Sequence, residues 1–191
     1  MRPDWFIPTE FGSVSVAKYS RTRRVDPPSA LLTMFSFCSS LHVMVRVGVL
    51  NMSIEIFVLS DRRLGTIEEW QKAIDAEGFD LRLDSSRPIE DLSGYLPAHK
   101  GDRLAGFECD HWDPADLLDD APEIDFGRRW KEMLAFRFGG NLHELWGAYA
   151  SAAAYARATD GAVFDGEAGK VMTADEAAQI ARSTEPDLEK A

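Results

Sequence analysis

A strand–helix–strand unit between Met133 and Asp165 constrains the fold of this chain more than any other stretch. The residues up to Phe138 are apolar except for one arginine and predict a buried strand, which a Gly-Gly pair follows. A helix from Leu142 to about Thr159 is predicted by six residues that recur on one face, namely Leu142, Leu145, Trp146, Tyr149, Ala153 and Ala156. Because the second half of this helix is nearly all small residues, the helix can lie close against a sheet.

The ends of this central helix carry their own signals. Asn141 suits the N-cap position, and Glu144, three residues further on, completes a variant of the capping box. Gly161 is expected to supply the left-handed residue that ends the helix. The residues Ala162–Asp165 then predict a second strand.

The C-terminal part of the chain predicts a short strand and one more helix. A Gly-rich turn leads into the strand at residues 170–172. Thr173 with Glu176 forms a capping box for a helix that is expected to end near Arg182. Residues 183–191 are expected to form a disordered tail.

The stretch from residue 54 onward predicts a βαβ-like unit. The apolar run at residues 54–59 indicates a buried strand, and Thr66 with Glu69 indicates a helix start. Gly78 is expected to end that helix. Apolar and charged residues then alternate over residues 79–84, as in a half-exposed strand.

A hairpin and a short helix are predicted between these two units. The residues 95–98 and 103–109 can pair, and Pro97 places the first of them at an edge. Asp113, followed by a proline, predicts a helix start, and that helix should reach about Asp119. The order of elements indicates a single α+β domain over residues 52–182, with a mixed sheet.

Residues 1–51 differ from the rest of the chain and allow three interpretations. They lack a clean period, and the apolar run Ala30–Leu50 has the length of a membrane anchor, although Arg46 is costly in hydrocarbon. The run can also be an extra strand or helix. The favoured interpretation is an extension outside the fold, because Met52 resembles a natural start that leads directly into a strand.

The charge of the chain favours basic partners. The net charge is −11 at pH 7, with six Lys/Arg against three acids in residues 1–51 and 15 against 29 in the remaining 140. Such a field repels nucleic acid and anionic membranes, so neither is expected as a partner of residues 52–191. The two cysteines, Cys38 and Cys109, lie far apart, which favours a reducing cytoplasm over a disulfide framework. No cofactor is predicted.

The densest group of reactive side chains is the stretch Glu108–Asp113. On a strand, Cys109 and His111 point the same way and suit zinc, but a third ligand would have to come from His99, His143 or a nearby acid. The alternative places Cys109 in the core, and no metal site is predicted. Cys109, His111 and His143 are the candidates for catalysis, although Cys109 and His111 are roughly 6–7 Å apart along a strand, too far for direct activation.

The acidic stretch Asp84–Asp120 is the predicted recognition surface. Its candidate binding residues are Tyr95, Asp110, Trp112, Asp116, Asp119 and Asp120, since aromatic side chains often anchor interfaces. Core packing of Tyr95 or Trp112 is the alternative. A basic island at residues 128–131 can hold an acidic ligand or pair internally with the acids before it.

The end of the chain resembles a known group of proteins. An Ala-rich helix that ends Ala158-Thr159-Asp160-Gly161, then Ala162–Asp165 and a Gly-Lys turn, looks like the tails of small bacterial α+β proteins, some of them immunity proteins. The resemblance covers only the C-terminal segment and implies no catalytic residue. We therefore expect a non-catalytic acidic module that binds a basic protein, as an immunity-type inhibitor does. The alternative is a small metal-dependent enzyme that uses Glu108–Asp113.

Overall fold

The computed structural model describes residues 53–84 and 87–189. The expectations for residues 1–51 lie outside this range. Within it, the predicted single-domain α+β class is confirmed, with helices and antiparallel sheets along the chain. The helices of this part of the chain are α1 (Ile67–Ala76), α2 (Pro114–Asp120), α3 (Leu142–Thr159) and α4 (Ala174–Leu188). The strands are β1 (Ile54–Ser60), β2 (Arg82–Leu83), β3 (Tyr95–Leu96), β4 (Ala98–Lys100), β5 (Arg103–Leu104), β6 (Phe107–Trp112), β7 (Glu132–Phe138), β8 (Ala162–Asp165) and β9 (Lys170–Met172).

The strands form two sheets. The larger has the order β3-β6-β7-β1-β8-β9, and the smaller has the order β2-β4-β5. Strand β1 pairs with β7 on one side and β8 on the other, antiparallel to both. Since β7 and β8 are therefore parallel to each other, β7–α3–β8 is a crossover unit with β1 inserted between its two strands.

Two details of the predicted topology are wrong. Strands β1 and β2 lie in different sheets, so the βαβ-like unit predicted at the start does not form. Every strand pair in the described residues is antiparallel, so the sheet is not mixed. The physical reason is that β7 and β8, the two strands of the crossover unit, are longer than β2. They can therefore form longer ladders with β1 than β2 could.

The predicted hairpin divides between the two sheets. Strand β3 pairs with β6, while β4 pairs with β5. Pro97 lies between β3 and β4, where the chain changes sheets, and β3 is an edge strand as predicted. A proline cannot donate an N–H to a ladder, and it is tolerated here because Pro97 belongs to neither strand.

Helix α3 is buried along most of its length because small residues let its neighbours approach. It packs on β1, β7 and β8, and α1, α4 and the small sheet also contact it. A Cβ atom on Gly147 would lie 2.0 Å from the carbonyl oxygen of Ala105. The bounds predicted for α3 and for β8 agree with the structure.

The caps of α3 differ in part from the prediction. Asn141 is the N-cap, and its side chain accepts the N–H of His143 at 2.8 Å. The carboxylate of Glu144 accepts the N–H of Gly139 rather than that of the cap. The left-handed residue is Asp160, with φ 53°, and not Gly161. Aspartate tolerates this conformation.

Gly161 has a different role from the one predicted. A Cβ atom there would lie 2.4 Å from the carbonyl oxygen of Leu59 on β1. The residue is therefore required where β8 first approaches the central strand, and not for its φ angle. Glycine at this point allows a close backbone contact.

The predicted disordered tail is wrong for residues 183–188, because α4 continues to Leu188. Pro186 lies in the last turn of α4, where a missing N–H removes only one intrahelical hydrogen bond. Leu188 is buried in the core, and Glu185 forms an ion pair with Lys100 on β4. These contacts hold the last turn in place.

The two faces of the large sheet are covered differently. The main core lies on the face that carries α1, α3 and α4, and it includes Trp70 and Trp146, both 0% exposed. The opposite face has a smaller apolar cluster, in which Phe126 packs edge-on against Phe164 at 5.1 Å. Helix α2 contributes Leu117, which is buried outside the main core. No helix in the described residues is long and apolar enough to cross a bilayer.

Candidate functional site

The stretch Glu108–Asp113 lies on β6 and the residue after it. Because side chains alternate along a strand, Cys109 and His111 point toward the main core, and the residues between them point to the opposite face. The prediction that Cys109 and His111 share one side of the strand agrees with this geometry. Glu108 and Asp110 therefore lie on the opposite face of β6 from Cys109 and His111.

Cys109 is a core residue. Its side chain is 0% exposed and belongs to the main core. Burial raises the pKa of the thiol well above its usual value, and Asp110 adds to this while Arg137 opposes it. The sulfur is therefore a neutral thiol near pH 7, which is neither a good nucleophile nor a metal ligand.

The side chain of His111, on β6, contacts the segment that precedes β3. Its Nε2 atom lies 3.2 Å from the carbonyl oxygen of Ile89, and its Nδ1 atom is buried with no hydrogen-bond partner in the described residues. Burial lowers the pKa of the imidazole, and the positive charge of Arg63 lowers it further. The hydrogen bond to Ile89 and the carboxylates of Glu132 and Asp110 raise the pKa, but by less.

Asp110 is engaged inside the protein rather than free on the surface. It accepts a hydrogen bond from Arg137 on the neighbouring strand β7 and another from the N–H of Gly94 at 3.1 Å. The carboxylate of Glu108 also lies 3.3 Å from the Arg137 guanidinium. Asp110 is only 15% exposed, so most of its surface is used by these partners.

Glu55 adds a third carboxylate to this group, which we call the Arg137 cluster (Glu55, Glu108, Asp110 and Arg137). It stands directly across from Arg137 in the β1–β7 register. Burial raises the pKa of Glu55, while Arg137 lowers it and the nearby Glu167 and Glu108 raise it. The cluster therefore places three carboxyl groups around one guanidinium. Sequence reasoning missed it, although a lone charged residue within an apolar strand, as at Glu55, was the available signal.

The two aromatic candidates differ in exposure. Trp112 is partly buried, with its ring 6.0 Å from that of Phe57 and 5.7 Å from the guanidinium of Arg137. Tyr95 is 46% exposed on the edge strand β3, and its hydroxyl end lies over Gly106. The core-packing alternative thus applies to Trp112, and surface exposure applies to Tyr95.

The third catalytic candidate, His143, is buried. It is 8% exposed in the first turn of α3. Within the described residues, no three His, Cys, Asp or Glu side chains are placed to hold a metal ion together. Cys109, His111 and His143 therefore belong to no such set.

The acidic surface of α2 comprises the exposed carboxylates of Asp113, Asp116, Asp119, Asp120 and Glu123. Asp113 is the N-cap, and it accepts the N–H of Ala115 at 2.9 Å. Asp119 lies 3.9 Å from Arg129, and both side chains are well exposed. The other members form no ion pair with any residue that the structure describes.

The basic island after α2 is used internally. The Arg128 guanidinium lies 3.2 Å from the Asp61 carboxylate and 4.0 Å from the centre of the Trp130 ring. Arg129 makes the exposed contact to Asp119 given above. The predicted pairing with the preceding acids is confirmed only for Arg129, because Arg128 pairs with Asp61 in the loop after β1. Most of the charge on the acidic surface of α2 is therefore uncompensated within the described residues.

Comparison with protein-family models, with curated proteins and with solved structures finds no match to this chain. The resemblance of the C-terminal segment to immunity-type proteins stays a prediction. The geometry of the described residues supplies the arguments about function that follow.

Proposed function

We propose that this protein is a non-catalytic module that binds a basic partner protein through the acidic surface of α2. The observation that carries this proposal is the set of exposed carboxylates on α2 and the residues beside it. Only one of them has a cationic neighbour in the described residues, and that contact is long, at 3.9 Å. An exposed pair of this kind contributes little to stability, so the charge remains available to a partner.

The helix that carries this surface is anchored to the rest of the fold, which favours binding. Asp113 caps α2 and Pro114 occupies its first turn, while Pro114 and Leu117 are buried beneath the helix. A preorganised surface loses little conformational freedom when it binds. The carboxylates also repel one another, and a positively charged partner would relieve that repulsion.

Electrostatic attraction of this kind acts mainly on the rate of association. Charge complementarity steers the encounter of two proteins, and its effect falls as ionic strength rises. The net charge of −11 on the whole chain adds to the attraction for a basic partner. An inhibitor of immunity type that neutralises a basic protein is the form of the proposal that the C-terminal resemblance supports.

The test compares two variants with the same net charge. The first reverses the surface (Asp116→Lys, Asp119→Lys and Asp120→Lys), and the matched control reverses three exposed acids elsewhere (Glu68→Lys, Asp80→Lys and Asp102→Lys). Basic proteins captured by the wild type from a lysate of the source cell are purified, and their association rates with all three proteins are measured at rising salt.

We expect the α2 variant to lose most of the association rate at low salt, whereas the control keeps it. Equal losses in both variants would show that only the net charge matters and would contradict the proposal. Stoichiometric zinc in the untagged protein, lost in Cys109→Ser, would instead favour the metal-dependent enzyme.

A further inference from the structure

The segment between the two sheets, residues 87–94, is fastened to β6 at its C-terminal end. The carbonyl of Gly94 accepts the N–H of Cys109 at 2.8 Å. The N–H of the same glycine donates to Asp110 at 3.1 Å. This end of the segment is therefore fixed to β6 by two hydrogen bonds that do not involve His111.

The middle of the segment depends on a different contact. It contains a short 3-10 turn, Ile89–Asp91, with Ile89 and Leu92 buried in the main core. The carbonyl oxygen of Ile89 faces the Nε2 atom of His111 at 3.2 Å. To donate this hydrogen bond, the neutral imidazole must carry its proton on Nε2, which leaves Nδ1 bare.

The bare Nδ1 atom is the unusual feature of this contact. It is buried, and no hydrogen-bond partner for it exists in the described residues. A second proton on the ring would place an N–H at this position with nothing to accept it. An unpaired buried donor costs free energy, so the charged ring is stable only where Nδ1 reaches water. Turning the ring outward would break the bond to Ile89.

Each element that lies beside the His111 ring contributes a charged or titratable group. Arg63, in the loop after β1, and Glu132, on β7, pair with each other. Asp110, on the same strand as His111, is held in the Arg137 cluster. Tyr155, from α3, keeps its proton because burial raises the pKa of its hydroxyl. The turn itself carries Glu90 and Asp91, both exposed.

We propose that His111 is an acid-sensitive latch, whose neutral ring ties the Ile89–Asp91 turn to β6 and whose protonation releases that turn while the sheets stay folded. The direction of the pH effect follows from the ring's environment. Burial and Arg63 lower the pKa of His111 in the folded protein. The latch is therefore closed above the ordinary histidine pKa of about 6.5 and opens as the pH falls through the lower folded value.

Nuclear magnetic resonance on the full chain tests this proposal. The imidazole of His111 and the backbone amides of Asp91 and Leu92 are followed from about pH 7.5 to about pH 5. Both amides donate hydrogen bonds within the turn, to Pro88 and Ile89. We expect them to shift with the same midpoint as the His111 ring, and their hydrogen exchange, corrected for the intrinsic rate, to rise severalfold below that midpoint.

Two variants separate the latch from general acid effects. In His111→Gln the side chain can still donate to Ile89 but cannot be charged, so the pH-dependent shift should disappear. In His99→Gln, which removes an exposed histidine on β4, the shift should persist. Turn amides that do not move as His111 titrates would overturn the proposal, and so would amides that move equally in His111→Gln. If His111→Gln does not fold, the wild type alone tests the proposal: the midpoints of the His111 ring and of the two turn amides must agree.

Discussion

Gly147 on α3 and Ala105 meet so closely that a Cβ atom on the glycine would lie 2.0 Å from the alanine carbonyl oxygen. The glycine stands in the middle of a helix, where it costs about 1 kcal/mol relative to alanine. The close approach outweighs this cost, because the contact is with backbone that cannot turn aside. Helix propensity and tertiary packing thus make opposite demands at one residue.

The first prediction follows from this contact. Gly147→Ala should lower the free energy of unfolding by about 1–3 kcal/mol, despite the better helix propensity of alanine. Denaturant unfolding measures the change. The control is Gly140→Ala, where an added Cβ meets nothing within 4 Å, and it should change stability little. A stabilised Gly147→Ala would mean that α3 lies further from residue 105 than the structure places it.

The second prediction compares two buried tryptophans. The indole N–H of Trp70 donates to the carbonyl of Ser151 at 3.0 Å, whereas that of Trp146 has no partner in the described residues. Both side chains are 0% exposed, so their loss of packing should be similar. Trp70→Phe should therefore cost about 1 kcal/mol more than Trp146→Phe in an unfolding experiment. Trp146→Ala should cost about 3–5 kcal/mol, since it leaves a large cavity.

The third prediction concerns pH and Glu55. Its pKa is raised in the folded protein, chiefly by burial, so the folded state binds its proton more readily than the unfolded state does. This carboxylate therefore costs stability as the pH rises from its ordinary pKa through the folded value. Glu55→Gln should stabilise the protein near pH 7 and have a much smaller effect near pH 3, as measured by thermal unfolding.

The capping residue Glu176 provides a contrast for that experiment. Backbone hydrogen bonding at Thr173, then Lys170, lowers its pKa to about 2. Its contribution to stability is fully present above the ordinary carboxyl pKa and is lost as the pH falls from there through the folded value of about 2. Glu176→Gln should therefore destabilise the protein at neutral pH. If both variants changed stability in the same direction near pH 7, the assignment for Glu55 would be wrong.

The fourth prediction tests the state of the Cys109 thiol. Because the side chain is fully buried and its pKa is raised, a thiol reagent should modify it only when the protein opens. The measurement uses a Cys38→Ser variant, so that Cys109 is the only thiol in the chain. Reaction should be fast in denaturant and far slower without it. Modification of the native protein at the rate of a free cysteine would contradict the burial described for β6.

Local signals explain which elements could be predicted. The limits of α3 and β8 follow from caps, small residues and apolar period, which act within a few residues of each helix or strand. The partners of β1 could not be read in this way, because β7 lies much further along the chain than β2 does. Residues 79–84 alternate as a strand does, but they are too few to form a long ladder with β1.

The candidate site shows the same division. The cap role of Asp113 was predicted from its neighbouring proline and is present. The Arg137 cluster was not predicted, because it forms only when three strands align in register. The hydrogen bond from His111 to Ile89 also joins parts of the chain whose proximity depends on the complete fold.

The insertion of β1 between β7 and β8 has a consequence for how the protein folds. Its partners on β8 extend to Asp165, so the central strand cannot complete its ladders until most of the chain has left the ribosome. Until then, Ile56 and Val58 have no lasting cover, although both are 0% exposed in the folded protein. A strand of this kind is open to pairing with other chains during synthesis, when aggregation competes with folding. We expect the newly made protein to depend on chaperones more than the finished one does.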